Sequence, residues 1–67
     1  MKLNIGDIVE YEFFNFDNRA TFKYVGVVLS KRNDMSDYKY EIKWFQTDIA
    51  KWYGYATVSY MKVLSRA

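Results

Sequence analysis

Few side chains in this chain are able to do chemistry. Neither histidine nor cysteine occurs among the 67 residues, which removes the usual general base near neutral pH, the thiolate nucleophile and the commonest metal ligands. Carboxylates, lysine, serine and tyrosine remain. Glu10 and Glu12 stand two apart, a spacing that puts both on one side of a strand. A carboxylate pair can work as acid and base, but alternate acids on a strand are ordinarily its solvated side. The three glycines, Gly6, Gly26 and Gly54, lie in no phosphate-cradling loop. Asp34 and Asp37 lack the further oxygen ligands at regular spacing that a calcium loop needs. The expectation is a protein that is not an enzyme, with no catalytic residue, cofactor, metal or small-molecule substrate.

Recognition is the chemistry left, and it rests on aromatic rings. Seven Tyr, five Phe and two Trp exceed what a core this small can enclose, since each ring buries about 150–250 Å². Tyr11, Phe13, Tyr40 and Trp44 are assigned to the core. The surplus, Phe14, Phe16, Tyr38, Phe45, Trp52, Tyr55 and Tyr60, forms a candidate interaction surface, because monomers rarely leave large apolar patches in water. These rings could line a shallow groove for an extended peptide or cap the open ends of a barrel. Phe14 and Phe16 could also pair with a second copy across a two-fold axis.

The alternative partner is nucleic acid. Lys31, Arg32, Lys39, Lys43, Lys51 and Lys62 are interleaved with Tyr38, Phe45, Trp52 and Tyr55, the mixture used by single-strand binders that stack bases within a positive groove. Net charge is only +2, divided as −1 over residues 1–41 and +3 over residues 42–67. Asp34, Asp37, Glu41 and Asp48 dilute the basic field.

The elements that must position these groups are short strands. Absence of cysteine excludes a disulfide framework, and with no apolar run resembling a signal peptide or span the expectation is a soluble, cytoplasmic protein with no membrane partner. Period-two alternation in Val, Ile, Tyr, Phe and Trp, punctuated by Asn, Asp, Ser and Gly, predicts strands. They run from Asp7 to Phe13, Lys23 to Lys31, Tyr38 to Phe45, Ala50 to Ala56 and Met61 to Ser65. Between them lie a long hairpin loop from Phe14 to Thr21, turns at Arg32–Asp37 and Gln46–Ile49, and one helical turn at Thr57–Tyr60. Gly26, inside the second strand, is expected to mark a bulge or bend. Five short sequential strands predict an all-β, strongly bent five-stranded barrel over residues 1–67, with a helical turn before the last strand.

The order Gly6-Asp7-Ile8-Val9, Val25-Gly26-Val27-Val28, Tyr40-Glu41-Ile42-Lys43-Trp44 and Trp52 through Met61-Lys62-Val63-Leu64-Ser65 resembles the SH3-like barrels of the KOW and Tudor kind. It is more similar still to small stand-alone barrel proteins of tailed phages and marine bacteria. The resemblance spans nearly the whole chain. It implies an SH3-like barrel acting as a non-catalytic, phage-related interaction module, with a protein or a second copy as partner and nucleic-acid binding as the alternative.

Overall fold

β-branched and aromatic side chains pack well on a pleated surface, and the segments rich in them pair in register. A computed structural model describes residues 3–34 and 37–67, and at 34, 37 and 38 it describes the backbone. The strands are β1 (Ile8–Asn15), β2 (Ala20–Asp34), β3 (Asp37–Trp44), β4 (Ile49–Gly54) and β5 (Lys62–Ser65), with a helical turn α1 (Tyr55–Val58) before the last. All neighbours run antiparallel in the order β4-β3-β2-β1-β5. The all-β class, the five antiparallel strands and the helical turn agree with expectation. Closure does not. The sheet ends at β4 on one side and β5 on the other, and no ladder joins these edges among the described residues. The chain leaving β4 turns at once into α1, which packs against β3 and β4 and buries Val58. Side chains of the helical turn, rather than a backbone ladder, therefore continue the structure beyond β4.

Two strands are longer than alternation alone indicates. Phe14 pairs with Thr21 and Asn15 with Ala20, so the expected long hairpin loop contracts to residues 16–19. Asn15 Oδ1 accepts the Asp17 N–H at 2.9 Å and Asn18 Oδ1 accepts the Ala20 N–H at 3.1 Å. These Asx turns satisfy local backbone donors and tighten the connection. Arg19, with φ of 53°, supplies the left-handed residue there. Farther on, Arg32, Asn33 and Asp34 are laddered to Lys39, Tyr38 and Asp37. The expected turn is thus mostly strand; its middle, Met35 and Ser36, lies outside the described residues.

The bulge in β2 falls at Leu29, between the pairs Val28–Ile42 and Ser30–Glu41, and not at Gly26. Gly26 serves close approach. A Cβ there would lie 2.5 Å from the Lys43 carbonyl oxygen and 2.8 Å from the Trp44 ring, so only glycine lets β3 and the indole pack against this part of β2. α1 begins two residues earlier than expected, with Gly54 as its N-cap in extended conformation and no side-chain cap bond.

Residues directly opposite in an antiparallel ladder share a face. Val9, Val28, Tyr40, Ile42 and Trp44 therefore form one inner face, and Leu3, Val58 and Met61 complete the buried core. Tyr40 and Trp44 lie where alternation puts them. Tyr11 and Phe13 point to the same face but are only half-buried. Among the described residues one acid is wholly covered: Asp7 is 0% exposed. Its Oδ2 accepts the Asn4 N–H and its Oδ1 the Ala67 N–H, both at 2.8 Å. Gly6, at φ of 94°, makes the preceding turn, and its N–H donates to the Val28 carbonyl at 2.8 Å. Among the described residues no helix is long and apolar enough to cross a membrane.

Candidate ligand-binding groove

The half-buried rings of the inner face are not scattered. Pairing sets Tyr11 opposite Tyr24 and Phe13 opposite Phe22, so neighbouring strands deliver rings side by side. The Phe13 ring lies 5.6 Å from both Phe22 and Tyr24, at 26° and 10°, and 6.1 Å from Tyr11. Tyr24 continues to Trp44 at 6.0 Å, and Trp44 to Tyr53 at 5.8 Å and 72°. Offset stacks and edge contacts at these distances suit the ring quadrupole. The result is a ribbon of rings crossing β1, β2, β3 and β4.

One hydrogen bond fixes the far end of the ribbon. The Trp44 indole N–H donates to the Tyr53 hydroxyl oxygen at 2.7 Å, which leaves the tyrosine's own proton free to be donated. Beyond these rings the inner face is uncovered. Tyr11, Phe13, Tyr24, Trp44 and Tyr53, with Thr47, Ile49 and Lys51, enclose an open groove of about 250 Å³. That volume suits one or two side chains and lies just below the usual range for drug-sized ligands. Ile49 and Lys51 enter from β4, opposite Trp44 and Ile42 respectively.

The turn that brings Thr47 to the rim is held from two sides. Its Asp48 N–H donates to the Trp44 carbonyl at 2.8 Å, and Asp48 adopts φ of 58°. Gln46 reaches across to β2, its Oε1 accepting the Val25 N–H at 3.1 Å. The groove wall is thereby tied to the sheet. Among the described residues its single full charge is Lys51, and no carboxylate lines it. Rings without an acid, beside an ammonium, favour neutral or anionic planar groups over a cationic one, because a ligand cation would meet like charge.

The rings expected at the surface are distributed over several places. Phe14 and Phe16 meet edge to face at 4.9 Å on the β1–β2 hairpin. Phe45 is exposed in the β3–β4 turn, with its N–H on the Val25 carbonyl at 2.9 Å. Trp52 lies on the outer face beneath the Arg32 guanidinium, 5.0 Å from the ring centroid. Tyr55 belongs to α1, and Tyr60 follows it in the connection to β5. Tyr38 pairs with Asn33 through the backbone, and its side chain lies outside what is described.

Of the basic candidates, Lys51 alone lines the groove. Lys43 is held by Asp48 at 3.0 Å, Lys31 reaches the Asn4 side-chain oxygen at 3.4 Å, and Lys39 lies opposite Arg32. Lys62 lies opposite Glu10 on β1. Glu12 sits 3.8 Å from Lys23, so it and Glu10 occupy the outer face, away from the rings. No protein-family model, curated protein or solved structure matches this chain.

Alternation could have flagged Tyr24, which follows Phe22 on the inward parity of β2. Tyr53, Thr47 and Ile49 carry no such signal, since their role depends on the register that pairs β4 with β3 and sets Ile49 opposite Trp44.

Proposed function

We propose that this chain is a non-catalytic binding module of SH3-like architecture whose inner groove receives an apolar or aromatic side chain offered by a protein partner or a second copy. The strand order β4-β3-β2-β1-β5, the helical turn between β4 and β5, and a bulged β2 shared by two partner strands support the SH3-like reading. The observation that carries the function is the ring-lined groove itself. Four half-buried rings, Tyr11, Phe13, Tyr24 and Tyr53, and the buried Trp44 border open space, with one lysine and, among the described residues, no acid. The polar groups lining it are phenols, a threonine hydroxyl and an ammonium, which can orient a bound side chain.

N-acetyl-phenylalanine amide is a suitable first probe. Titrated into ¹⁵N-labelled protein, it should shift the amides of Tyr24, Thr47, Lys51 and Tyr53 and alter Trp44 fluorescence, while Tyr60 stays still. Ile49→Arg, a change at an exposed groove residue, should weaken the response about tenfold, the scale of losing one buried anchor. Shifts spread evenly over the surface, or none at millimolar probe, would end this reading.

The position of Lys51 beside stacked rings favours a second reading, in which the groove takes a nucleobase and Lys51 a phosphate. Oligothymidine in the same titration separates the two. A base-binding groove responds at low salt and loses that response as salt rises, because phosphate contacts release counterions.

A further inference from the structure

Phe16 is 83% exposed, although a ring of this size ordinarily finds cover. It is also held in place. The two Asx turns at Asn15 and Asn18 and the left-handed Arg19 fix the loop, and the edge of the Phe14–Phe16 pair sets the ring's direction. Asp17, next in the chain, is exposed, and Lys51 at the groove is likewise exposed; neither has an ion-pair partner among the described residues. The molecule thus carries an exposed aromatic knob on a tight turn flanked by a carboxylate, and a ring-lined recess flanked by an ammonium.

We infer that the occupant of the groove is Phe16 of a second copy, with Asp17 of that copy beside Lys51. This rests on the groove reading given above. The charges decide among apolar occupants, since the knob brings an acid to the recess whose one charge is basic. Each chain carries both this knob and this recess, so two copies related by a two-fold axis satisfy both contacts at once and close the assembly. Each inserted ring removes about 150–250 Å² from water, and even doubled this falls below the usual range of stable specific interfaces. The pair is consequently a weak, concentration-dependent dimer.

Sedimentation equilibrium from about 10 µM to 1 mM brackets that range of affinity. The expected result is a monomer–dimer equilibrium whose dissociation constant rises at least tenfold in Phe16→Ala, as for an anchor residue. That variant keeps its circular dichroism because the ring touches no core residue. Asp17→Lys and Lys51→Glu should each weaken the dimer roughly fivefold, and the double variant should return to within about twofold of wild type.

A monomer at every concentration, a Phe16→Ala variant that associates like wild type, a double swap that restores nothing, or species larger than a dimer would each overturn the exchange. N-acetyl-phenylalanine amide separates the levels. A monomeric chain whose groove still takes the probe loses the second copy and keeps the groove, whereas a chain that does neither loses both. Phe16-dependent binding to phosphatidylcholine vesicles by a chain that stays monomeric would assign the knob to a lipid surface and overturn the proposal.

Discussion

Trp44→Ala should abolish the cooperative unfolding transition at 25 °C. The indole is 6% exposed and sits where the inner face changes from core to groove, between Tyr24 at 6.0 Å and Tyr53 at 5.8 Å. It packs over Gly26, against a backbone with no room for a compensating side chain. Truncating a buried tryptophan typically costs about 3–5 kcal/mol. A single core in a chain of this length rarely supplies more than about 3–5 kcal/mol in total, so one substitution removes most of the margin. Trp44→Phe separates volume from polarity. It keeps a ring between the two tyrosines and loses the 2.7 Å bond to Tyr53, and it should fold with a loss of about 1–2 kcal/mol. Urea titration followed by far-ultraviolet circular dichroism reads both, and a Trp44→Ala protein melting within about 1 kcal/mol of wild type would show that the core is centred elsewhere.

Asp7→Ala should be nearly as damaging, and for a different reason. The substitution removes a wholly covered carboxylate and leaves the Asn4 and Ala67 N–H groups of two part-buried bonds without their acceptor, and a buried donor left orphaned costs about 1–3 kcal/mol. Those same bonds hold the Asp7 carboxyl below the usual carboxylate range. The Ala67 N–H contributes most and the Asn4 N–H next; desolvation opposes them, and the charges of Arg66 and Lys31 add to the lowering. Arg66, 3.9 Å away and 60% exposed, adds little to stability because water screens it.

The direction of the shift fixes the pH dependence. A group whose folded-state value is depressed contributes stability that is complete above its unfolded value, near pH 4, and is lost as the pH falls through the folded value. Wild type should therefore lose stability in acid below about pH 4. Asp7→Asn, which cannot ionise, should start lower and lose less over that interval. Thermal melts at neutral pH and in acid test this, and parallel pH profiles for the two proteins would exclude Asp7 as the source.

How far the sequence could be read depended on how local each feature is. The inward set Tyr40, Ile42 and Trp44 follows from period-two alternation, which depends only on the pleat of one strand. The Asn and Asp cluster after Phe14 locates a turn correctly yet overstates its length, because extended pairing of Phe14 with Thr21 and Asn15 with Ala20 overrides the turn preference of those side chains. Leucine gives no warning of a bulge at position 29, while Gly26 gives a misleading one: a missing Cβ can mean either a kink or a close neighbour.

The groove was half legible. Tyr11 and Phe13 point to the correct face, but whether an inward ring is sealed depends on what covers that face, and the covering pieces are Leu3, Val58 and Met61 from distant parts of the chain. The assignment of Asp7 was beyond reach for the same reason. A lone acid before a strand looks solvated until Ala67, sixty positions later, arrives beside it.

That sixty-residue separation has a kinetic consequence. β1–β2, β2–β3 and β3–β4 are hairpins between strands adjacent in sequence, whereas β5 pairs with β1 across most of the chain. Loop-closure entropy opposes the distant contact until something else has gathered the chain. This topology predicts the four-stranded meander as the nucleus, with β5 docking onto it after the rate-limiting step. On this order Val63→Ala, opposite Val9, accelerates unfolding and leaves the refolding rate almost unchanged, and a stopped-flow chevron with the opposite partition would place β5 in the nucleus instead.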